Sequence, residues 1–238
     1  MSHPQVVILA AGMGTRLGLP SPKPLTPLAD GRSILQRQLD HLDEAFPPAR
    51  VMAVVGYKPD LIMDAAPDLL FAYNHRFSWT NTATSLLHAL RLSLPGGVLW
   101  LNGDVVFETG LLDRIQPMIS ADTSFVCVNT AAVGDEEVAY TLDADGCVLR
   151  LSKALTDGRG EAIGINYVAS SDKATLIAHL ERCTDQDYFE RGIESAIESA
   201  GLRMRALDIS DFFVVEVDFI GDLERANSEV SKAVSPAA

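Results

Sequence analysis

Two cations follow a glycine-rich turn near the start of this chain. The apolar run at residues 6–10 predicts a buried strand. Gly12 and Gly14 come next, and they remove side chains where the chain must turn and where a phosphate could approach backbone amides. Arg16 and Lys23 add fixed positive charge beside those amides. Together these residues predict a site for a nucleoside triphosphate.

Two aspartates are placed to hold a divalent metal. Asp104 follows the apolar run at 97–101, and Asp218 follows the run at 213–217. Ligands of an open α/β sheet bind outside the carboxyl ends of its strands, and Mg²⁺ prefers carboxylate and phosphate oxygens. The alternative is local: Asp104 would cap a turn, and Asp218 would be the N-cap of a helix beginning near Ile220.

The glycine turn is part of a longer string. It reads L-A-A-G-M-G-T-R-L from Leu9 to Leu17, followed by P-K-P-L from Pro22. This pattern resembles the signature of nucleotidyltransferases that join a nucleoside triphosphate to a phosphorylated small molecule, such as sugar-1-phosphate nucleotidylyltransferases and phosphocholine or inositol-phosphate cytidylyltransferases. A dinucleotide-binding oxidoreductase is disfavoured, because Leu17 stands where that fingerprint needs glycine.

The resemblance implies direct in-line attack by an acceptor oxygen on the α-phosphorus, with pyrophosphate leaving. Arg16 would neutralise the leaving phosphates, Lys23 would bridge the attacking oxygen and the α-phosphate, and Asp104 and Asp218 would hold Mg²⁺. The residues expected to bind the nucleotide are Leu9, Ala10, Ala11, Gly12, Gly14, Thr15, Arg16, Gly56, Tyr57, Asn74, Thr84, Ser85 and Asp104.

The segment from Asn74 to Leu87 bears on the nucleobase. It resembles the N-x-x-[FY]-x-x-x-N-x-x-x-S-L stretch of the phosphocholine-type cytidylyltransferases, which favours CTP. We expect free helix N-terminal amides near Thr84 and Ser85. A sugar-1-phosphate nucleotidylyltransferase using UTP, dTTP or GTP is the alternative. A second alternative is a non-catalytic nucleotide-binding regulatory subunit.

The acceptor is expected to be a small phosphomonoester or phosphonate. The residues predicted to bind it are Lys23, Trp79, Asn81, Lys153 and Glu161. The alternative for Lys153 is a solvated surface lysine, and for Trp79 a packing role. Carboxylates of the second half suit a cationic headgroup (Glu136, Glu137, Glu161 and Asp187), whereas His75 and Arg76 suit an anionic acceptor. The sequence leaves this choice open.

Alternating strand and helix signals must position these residues. They predict an α/β fold with βαβ units, which the resemblance identifies as a Rossmann-like, mostly parallel mixed sheet flanked by helices. We expect one domain over 1–232, with a nucleotide-binding half (about 1–120), an acceptor-binding half on the same sheet (about 121–232) and a tail at 233–238. The predicted strands are 6–10, 51–55, 69–73, 97–101, 124–129, 138–142, 147–151, 163–168, 203–208 and 213–217, and the predicted helices are 34–45, 84–94, 110–119, 172–182, 188–199 and 220–232.

Composition agrees with such an enzyme. The chain has 238 residues, of which 47% are hydrophobic, enough for one sizeable core. The formal net charge of −13 disfavours nucleic acid as a partner. Cys127, Cys147 and Cys183 lack metal-site spacing and are expected to be reduced. With neither a leader nor an apolar run of the ~20 residues that a membrane span needs, we expect a cytoplasmic protein without membrane contact, as a monomer or a homo-oligomer.

Overall fold

The computed structural model describes residues 4–47, 50–130 and 138–234. The strands are β1 (Gln5–Ala10), β2 (Arg50–Val55), β3 (Leu70–Tyr73), β4 (Val98–Asn102), β5 (Val105–Phe107), β6 (Phe125–Asn129), β7 (Ala139–Leu142), β8 (Val148–Ser152), β9 (Glu161–Val168), β10 (Arg205–Asp208) and β11 (Val214–Glu216). The helices are α1 (Ile34–Ala45), α2 (Pro59–Ala65), α3 (Thr82–Leu92), α4 (Gly110–Ser120), α5 (Lys173–Leu180), α6 (Phe189–Ala200) and α7 (Ile220–Val234). Short 3₁₀ turns cover Thr15–Leu17 and Lys23–Leu25.

In the described part of the chain, nine strands form one mixed sheet. Its order is β10-β6-β9-β4-β1-β2-β3, and the β7–β8 hairpin joins it through β9. Strands β4, β1, β2 and β3 are parallel, as are β10 and β6, whereas β9 runs antiparallel to both β4 and β6. Because β1 and β4 are parallel neighbours, the loops that follow them emerge at the same edge of the sheet. The predicted fold class is confirmed.

Side chains alternate between the two faces of the sheet and fill two cores. On one face, Leu9 and Trp100 pack with Leu86 of α3 and Ile193 of α6. On the other face, Ile8 and Leu101 pack with residues of α1 and α4. Full burial of such side chains stabilises the fold by about 1.5–3 kcal/mol each.

The last strand corrects one expectation. The segment 213–217 was expected on the main sheet, but β11 pairs antiparallel with β5 in a separate two-stranded sheet. Three residues are too few for the periodicity that would have predicted β5. A third core, including Leu17, Val217 and Ala226, packs this small sheet and α7 beside the 3₁₀ turn after β1. Asp218 is thereby brought next to the glycine-rich turn.

Element boundaries agree with prediction to within a few residues, with two informative differences. Helix α3 begins at Thr82, two residues before its predicted start, because the Asn81 side chain accepts a hydrogen bond from the Thr82 amide. Helix α2 was not predicted. The expected tail begins at 233, but α7 continues to Val234 and residues 235–238 lie outside the described part. Among the described helices, none combines the length and apolarity needed to cross a bilayer.

Candidate active site

A cavity of about 420 Å³ opens at the edge of the sheet where β1 and β4 end. Its volume lies in the range typical of small-molecule sites. Both halves of the chain line it, since α6 and the ends of β8 and β11 contribute beside the glycine-rich turn. The predicted site residues that line this cavity are Leu9, Ala10, Gly12, Gly14, Thr15, Arg16, Lys23, Trp79, Asn81, Asp104, Lys153 and Asp218.

Close backbone packing fixes the glycine-rich turn. Gly14 has φ +59°, and a Cβ added there would lie 3.0 Å from the Cβ of Lys23. The Gly103 amide donates to the Leu9 carbonyl at 2.9 Å. A Cβ at Gly103 would lie 2.9 Å from both that oxygen and Cγ of Pro24. The backbones carrying Lys23 and Asp104 are therefore held against the end of β1.

Lys23 lies between the two aspartates. Its Nζ donates to Oδ2 of Asp104 at 2.8 Å and to Oδ1 of Asp218 at 2.6 Å. The Lys23 side chain is only 11% exposed, and the two carboxylates are 23% and 28% exposed. Burial lowers the pKa of Lys23, but the two carboxylates more than offset this, so the pKa lies above its usual value. The ammonium thus neutralises a carboxylate pair that would otherwise repel.

The carboxylate pair fits a divalent cation. Oδ1 of Asp104 is buried and lacks a hydrogen-bond partner within the described residues, which leaves a carboxylate oxygen for a further ligand. The described part holds no cluster of three or more metal-ligating side chains. Mg²⁺ is commonly bound by only one or two carboxylates together with substrate phosphates and water. Asp104 and Asp218 match that pattern.

Neighbouring contacts orient Arg16 and Asp218. Nη1 of Arg16 lies 3.4 Å from Oδ2 of Asp218, and its guanidinium lies 5.8 Å from the centroid of the Phe219 ring. Oδ2 of Asp222 accepts hydrogen bonds from the amides of Asp218 and Phe219, and so fixes the entry to α7. We refer to Arg16, Lys23, Asp104 and Asp218 as the Lys23 group.

Glu216, which precedes this entry, has a supporting contact. Its Oε1 accepts a hydrogen bond from the Gly164 amide at 2.8 Å, and the residue lines the cavity. This bond ties β11 to β9, so the small sheet that carries Asp218 is fastened to the main sheet.

Asn74 and Ser85 do not face the cavity. Nδ2 of Asn74 donates to Oγ1 of Thr80 at 3.0 Å and to Oγ of Ser85 at 3.2 Å, in a buried position. The Ser85 amide bonds to the Asn81 carbonyl, because α3 has already begun, so the expected free amide is absent. Thr84 also lies outside the cavity lining. The structure thus places Asn74, Thr84 and Ser85 outside the cavity lining, and their contact with the nucleotide stays a prediction.

Three other residues that were predicted to bind the nucleotide pack at the glycine-rich turn without lining the cavity. The carbonyl of Ala11 accepts a hydrogen bond from the Tyr57 amide at 3.0 Å. A Cβ on Gly56 would lie 2.5 Å from Cβ of Phe77, a residue that lines the cavity. Gly56 is therefore required for close packing. Ala11, Gly56 and Tyr57 do not line the cavity themselves.

Some of the residues predicted to bind the acceptor line the cavity, and others do not. Lys153, Trp79 and Asn81 line the cavity, and Trp79 is 69% exposed. Glu161 lies outside the lining, where its Oε1 accepts a hydrogen bond from Nδ2 of Asn129 at 3.4 Å. Of the carboxylates proposed for a cationic headgroup, Glu136 and Glu137 lie outside the described residues, and Asp187 is not part of the lining.

Glu190 is among the cavity residues that sequence reasoning missed. It is the second residue of α6, and its Oε2 is buried without a hydrogen-bond partner in the described part of the chain. Burial raises the pKa of this carboxyl to about 7, and neither its own backbone amide nor the charge of Lys153 offsets that effect. Lys153 places Nζ 5.0 Å from the centroid of the Tyr188 ring. We refer to Lys153, Tyr188 and Glu190 as the Glu190 group.

Sequence comparison identifies a family and several relatives of this chain. The model of the MobA-like NTP transferase domain matches residues 6–168. The CMP-5'-(3-aminopropyl)phosphonate synthase of Streptomyces rubellomurinus is 30% identical over 252 residues, covering 95% of this chain and 39% of that protein. The bifunctional protein GlmU of Trichormus variabilis is 36% identical over 227 residues, covering 87% of this chain and 47% of that protein. The chain thus spans less than half the length of either relative.

Solved structures of nucleotidyltransferases share the fold. The CTP:phosphocholine cytidylyltransferase of Streptococcus pneumoniae matches with a TM-score of 0.74 at 16% identity, covering 96% of this chain and 100% of that chain. The inositol-1-phosphate CTP transferase of T. maritima matches with a TM-score of 0.77 at 15% identity, covering 100% and 99% of the respective chains. Both likenesses concern the nucleotide-diphospho-sugar transferase fold. The family match over residues 6–168 shows that the chain belongs to the MobA-like NTP transferases, a nucleotidyltransferase family.

Proposed function

We propose that this chain is a Mg²⁺-dependent cytidylyltransferase that acts on a small phosphonate or phosphomonoester. An acceptor oxygen forms a bond to the α-phosphorus of CTP, the bond from that phosphorus to the β-phosphate oxygen breaks, and pyrophosphate leaves. Support comes from the relative that is a CMP-5'-(3-aminopropyl)phosphonate synthase and from the fold shared with two CTP-dependent enzymes. The proposed compartment is the cytoplasm, where the three free cysteines would stay reduced.

The placement of Lys23 between Asp104 and Asp218 carries this proposal. A lysine and two carboxylates from separate loops meet at a glycine-rich turn within one cavity. No side chain is needed as a nucleophile, because the acceptor itself supplies the attacking oxygen. Catalysis then consists of positioning and of neutralising the charge on the phosphates.

Each member of the Lys23 group has a proposed role. Asp104 and Asp218 would hold Mg²⁺, which when bound neutralises phosphate oxygens and orients them. With the aspartates holding the metal, the Lys23 ammonium would be free to contact the α-phosphate and the attacking oxygen. Arg16, at the exposed side of Asp218, contacts the leaving phosphates. The backbone of the glycine-rich turn receives the triphosphate.

Pyrophosphate release tests the proposal. Wild-type protein is incubated with Mg²⁺, one of the four nucleoside triphosphates and one acceptor from a panel of phosphocholine, inositol phosphate, aminoalkylphosphonates and hexose phosphates. We expect release with CTP and a phosphonate or phosphomonoester, and a CMP-linked product by mass spectrometry. The proposal is wrong if no acceptor yields a CMP-linked product.

The likeness to GlmU, at 36% identity, supports a second candidate: a sugar-1-phosphate nucleotidylyltransferase that uses UTP, dTTP or GTP. It shares the Lys23 group chemistry and differs only in the nucleobase and the acceptor. The same screen separates the two candidates, because a preference for a hexose phosphate with a triphosphate other than CTP would favour the second.

A further inference from the structure

One oxygen of the Glu190 carboxyl lacks a partner in the cavity. Its Oε2 is buried and receives no hydrogen bond from any described residue, although Glu190 lines the cavity. A buried polar atom left without a partner costs free energy, about 1–3 kcal/mol for a neutral group and more for a charged one. Its place in the first turn of α6 is electrostatically favourable, but a helix end supplies only part of the missing solvation.

Lys153 does not satisfy this carboxylate. It forms no ion pair within the described residues, and its ammonium instead lies 5.0 Å from the centroid of the Tyr188 ring. Its charge still acts on Glu190, so the two side chains lie near one another without pairing. One anion and one cation thus line the same cavity, each able to accept a ligand group of opposite charge.

We propose that Glu190 binds an ammonium group of the acceptor, so that the acceptor is a short zwitterion with a phosphonate or phosphate at one end and an amine at the other. A charge-assisted hydrogen bond from the amine would satisfy Oε2. Lys153 would contact the anionic end. Trp79 also lines the cavity with an exposed aromatic side chain, a type of group that attracts cations. This inference rests on the proposed function and narrows its acceptor class.

Two probes that differ only in the amine test the inference directly. The affinities of 3-aminopropylphosphonate and propylphosphonate are measured by calorimetry, with Mg²⁺ and a non-hydrolysable CTP analogue present. The proteins are wild type, Glu190→Gln and, as a matched control on an exposed part of α6, Glu198→Gln. We expect wild type and Glu198→Gln to prefer the amino compound by about 10- to 100-fold, as one charged hydrogen bond allows. Glu190→Gln should bind both probes alike.

A pH series adds a readout that a merely structural role would not change. The preference for the amino compound should grow between pH 6 and pH 8 in wild type, because Glu190 ionises in this range. Lys153 is the charged side chain that acts on it, and it is unchanged in every protein compared. The two phosphonates ionise at different pH, because the ammonium of the amino compound makes its phosphonate more acidic, so Glu190→Gln supplies the reference series. The ratio should rise more steeply with pH in wild type than in Glu190→Gln, where only the ionisation of the probes changes it.

Equal binding of the two probes by wild type would overturn the inference. So would an unchanged preference in Glu190→Gln, or weakened binding of the CTP analogue by Glu190→Gln while the preference persists, which would assign Glu190 to the nucleotide. The proposed function fails separately, namely if no CMP-linked product forms with any acceptor. Product formation with propylphosphonate at the rate seen with 3-aminopropylphosphonate would keep cytidylyl transfer and reject the amine site.

Discussion

The Lys23 group and the Glu190 group line one cavity but satisfy their charges in different ways. In the Lys23 group, one ammonium contacts two carboxylates at 2.8 and 2.6 Å. In the Glu190 group, a buried carboxylate oxygen lacks a hydrogen-bond partner among the described residues, and the nearby lysine lies over an aromatic ring. Among the described residues, both carboxylates of the first group thus contact a cation, although Oδ1 of Asp104 is left for a further ligand, whereas the carboxylate of the second group contacts no cation.

This difference separates binding of the triphosphate, which every reaction of this type requires, from recognition of the acceptor, which is selective. In the proposed reaction, the triphosphate group is the same whichever nucleobase and acceptor are used. The Lys23 group can therefore be held in place by packed backbone before the substrates bind. The acceptor is the substrate whose chemical groups differ between enzymes. An unpaired charge in the cavity strengthens the binding only of an acceptor that carries the opposite charge. We infer that the Lys23 group determines whether the reaction occurs and the Glu190 group determines with which acceptor.

Substituting the aspartates of the Lys23 group should have the largest effect. Asp104→Asn and Asp218→Asn each remove a carboxylate from the proposed Mg²⁺ site, and we expect pyrophosphate release to fall by about 10³-fold. Steady-state rates with CTP and varied Mg²⁺ measure this. Asp113→Asn, on the exposed side of α4, is the control and should keep wild-type rates. Substantial Mg²⁺-dependent turnover in either variant would contradict the metal assignment.

Removing the Lys23 charge should affect both rate and stability. Lys23→Met leaves Asp104 and Asp218 partly buried without their shared cation, so the free energy of unfolding should fall by about 1–3 kcal/mol when Mg²⁺ is chelated. Added Mg²⁺ should restore stability, because the metal replaces the ammonium, but the rate should stay about 10²-fold low. Denaturant unfolding with and without Mg²⁺ measures the first effect.

The surface variant Lys232→Met serves as the control for this substitution, since its partner Glu229 lies on the same helix. If Mg²⁺ stabilises wild type and Lys23→Met by equal amounts, the metal does not take the place of the lysine. The proposal that Mg²⁺ replaces the Lys23 ammonium between the two aspartates would then be wrong, although the proposed role of Lys23 in the reaction would still stand.

The sequence predicted that the four residues of the Lys23 group lie together, for a physical reason. Strand β1, the glycines and Lys23 are close along the chain, so their packing follows from local residue order. The strands before Asp104 and Asp218 are apolar runs that place both residues at strand ends. What the sequence did not predict was the small β5–β11 sheet, because its strands have three residues each and pair over a long separation.

Outside the Lys23 group, the predicted contacts agree less well with the residues that line the cavity. Asn74 and Ser85 have residue types suited to a nucleobase, yet they bond to each other, since the loop at 74–81 needs its own polar partners. Glu190 lies on a helix with other acidic residues, and no local pattern distinguishes it from a solvated carboxylate. Only the packing of α6 against the cavity shows that its Oε2 is buried. Contacts between distant segments therefore set the acceptor side.

Packing behind the glycine-rich turn should have a smaller effect than the charges. Gly56→Ala places a Cβ 2.5 Å from Cβ of Phe77 and 2.7 Å from the Ala11 carbonyl oxygen, so the loop must move. We expect a loss of about 1–3 kcal/mol in unfolding free energy and a raised KM for CTP. Gly221→Ala is the control, because no atom lies within 4 Å of its added Cβ. Equal stability of the two variants would show that the turn is not held by close packing.

The smallest expected effect concerns stability at the Glu190 group. Burial raises the pKa of Glu190 to about 7 in the folded protein, against 4.5 ordinarily, so the folded state holds a proton that the unfolded state has released between these values. Stability is therefore lost as pH rises from about 4.5 to about 7 and stays lower above it, by roughly 1–3 kcal/mol. Glu190→Gln cannot ionise, so it should match wild type at pH 5 and be more stable at pH 8.

Denaturant unfolding of the ligand-free protein at these two pH values measures the difference. Glu198→Gln, exposed on the same helix, should show no gain at pH 8 relative to pH 5. A Glu190→Gln variant with the same change in stability at both pH values would mean that the carboxylate is paired in solution. The contrast with the Lys23 group would then disappear. A gain confined to pH 8 would instead measure how much unfolding free energy the ligand-free protein loses by holding Glu190 ionised and unpaired.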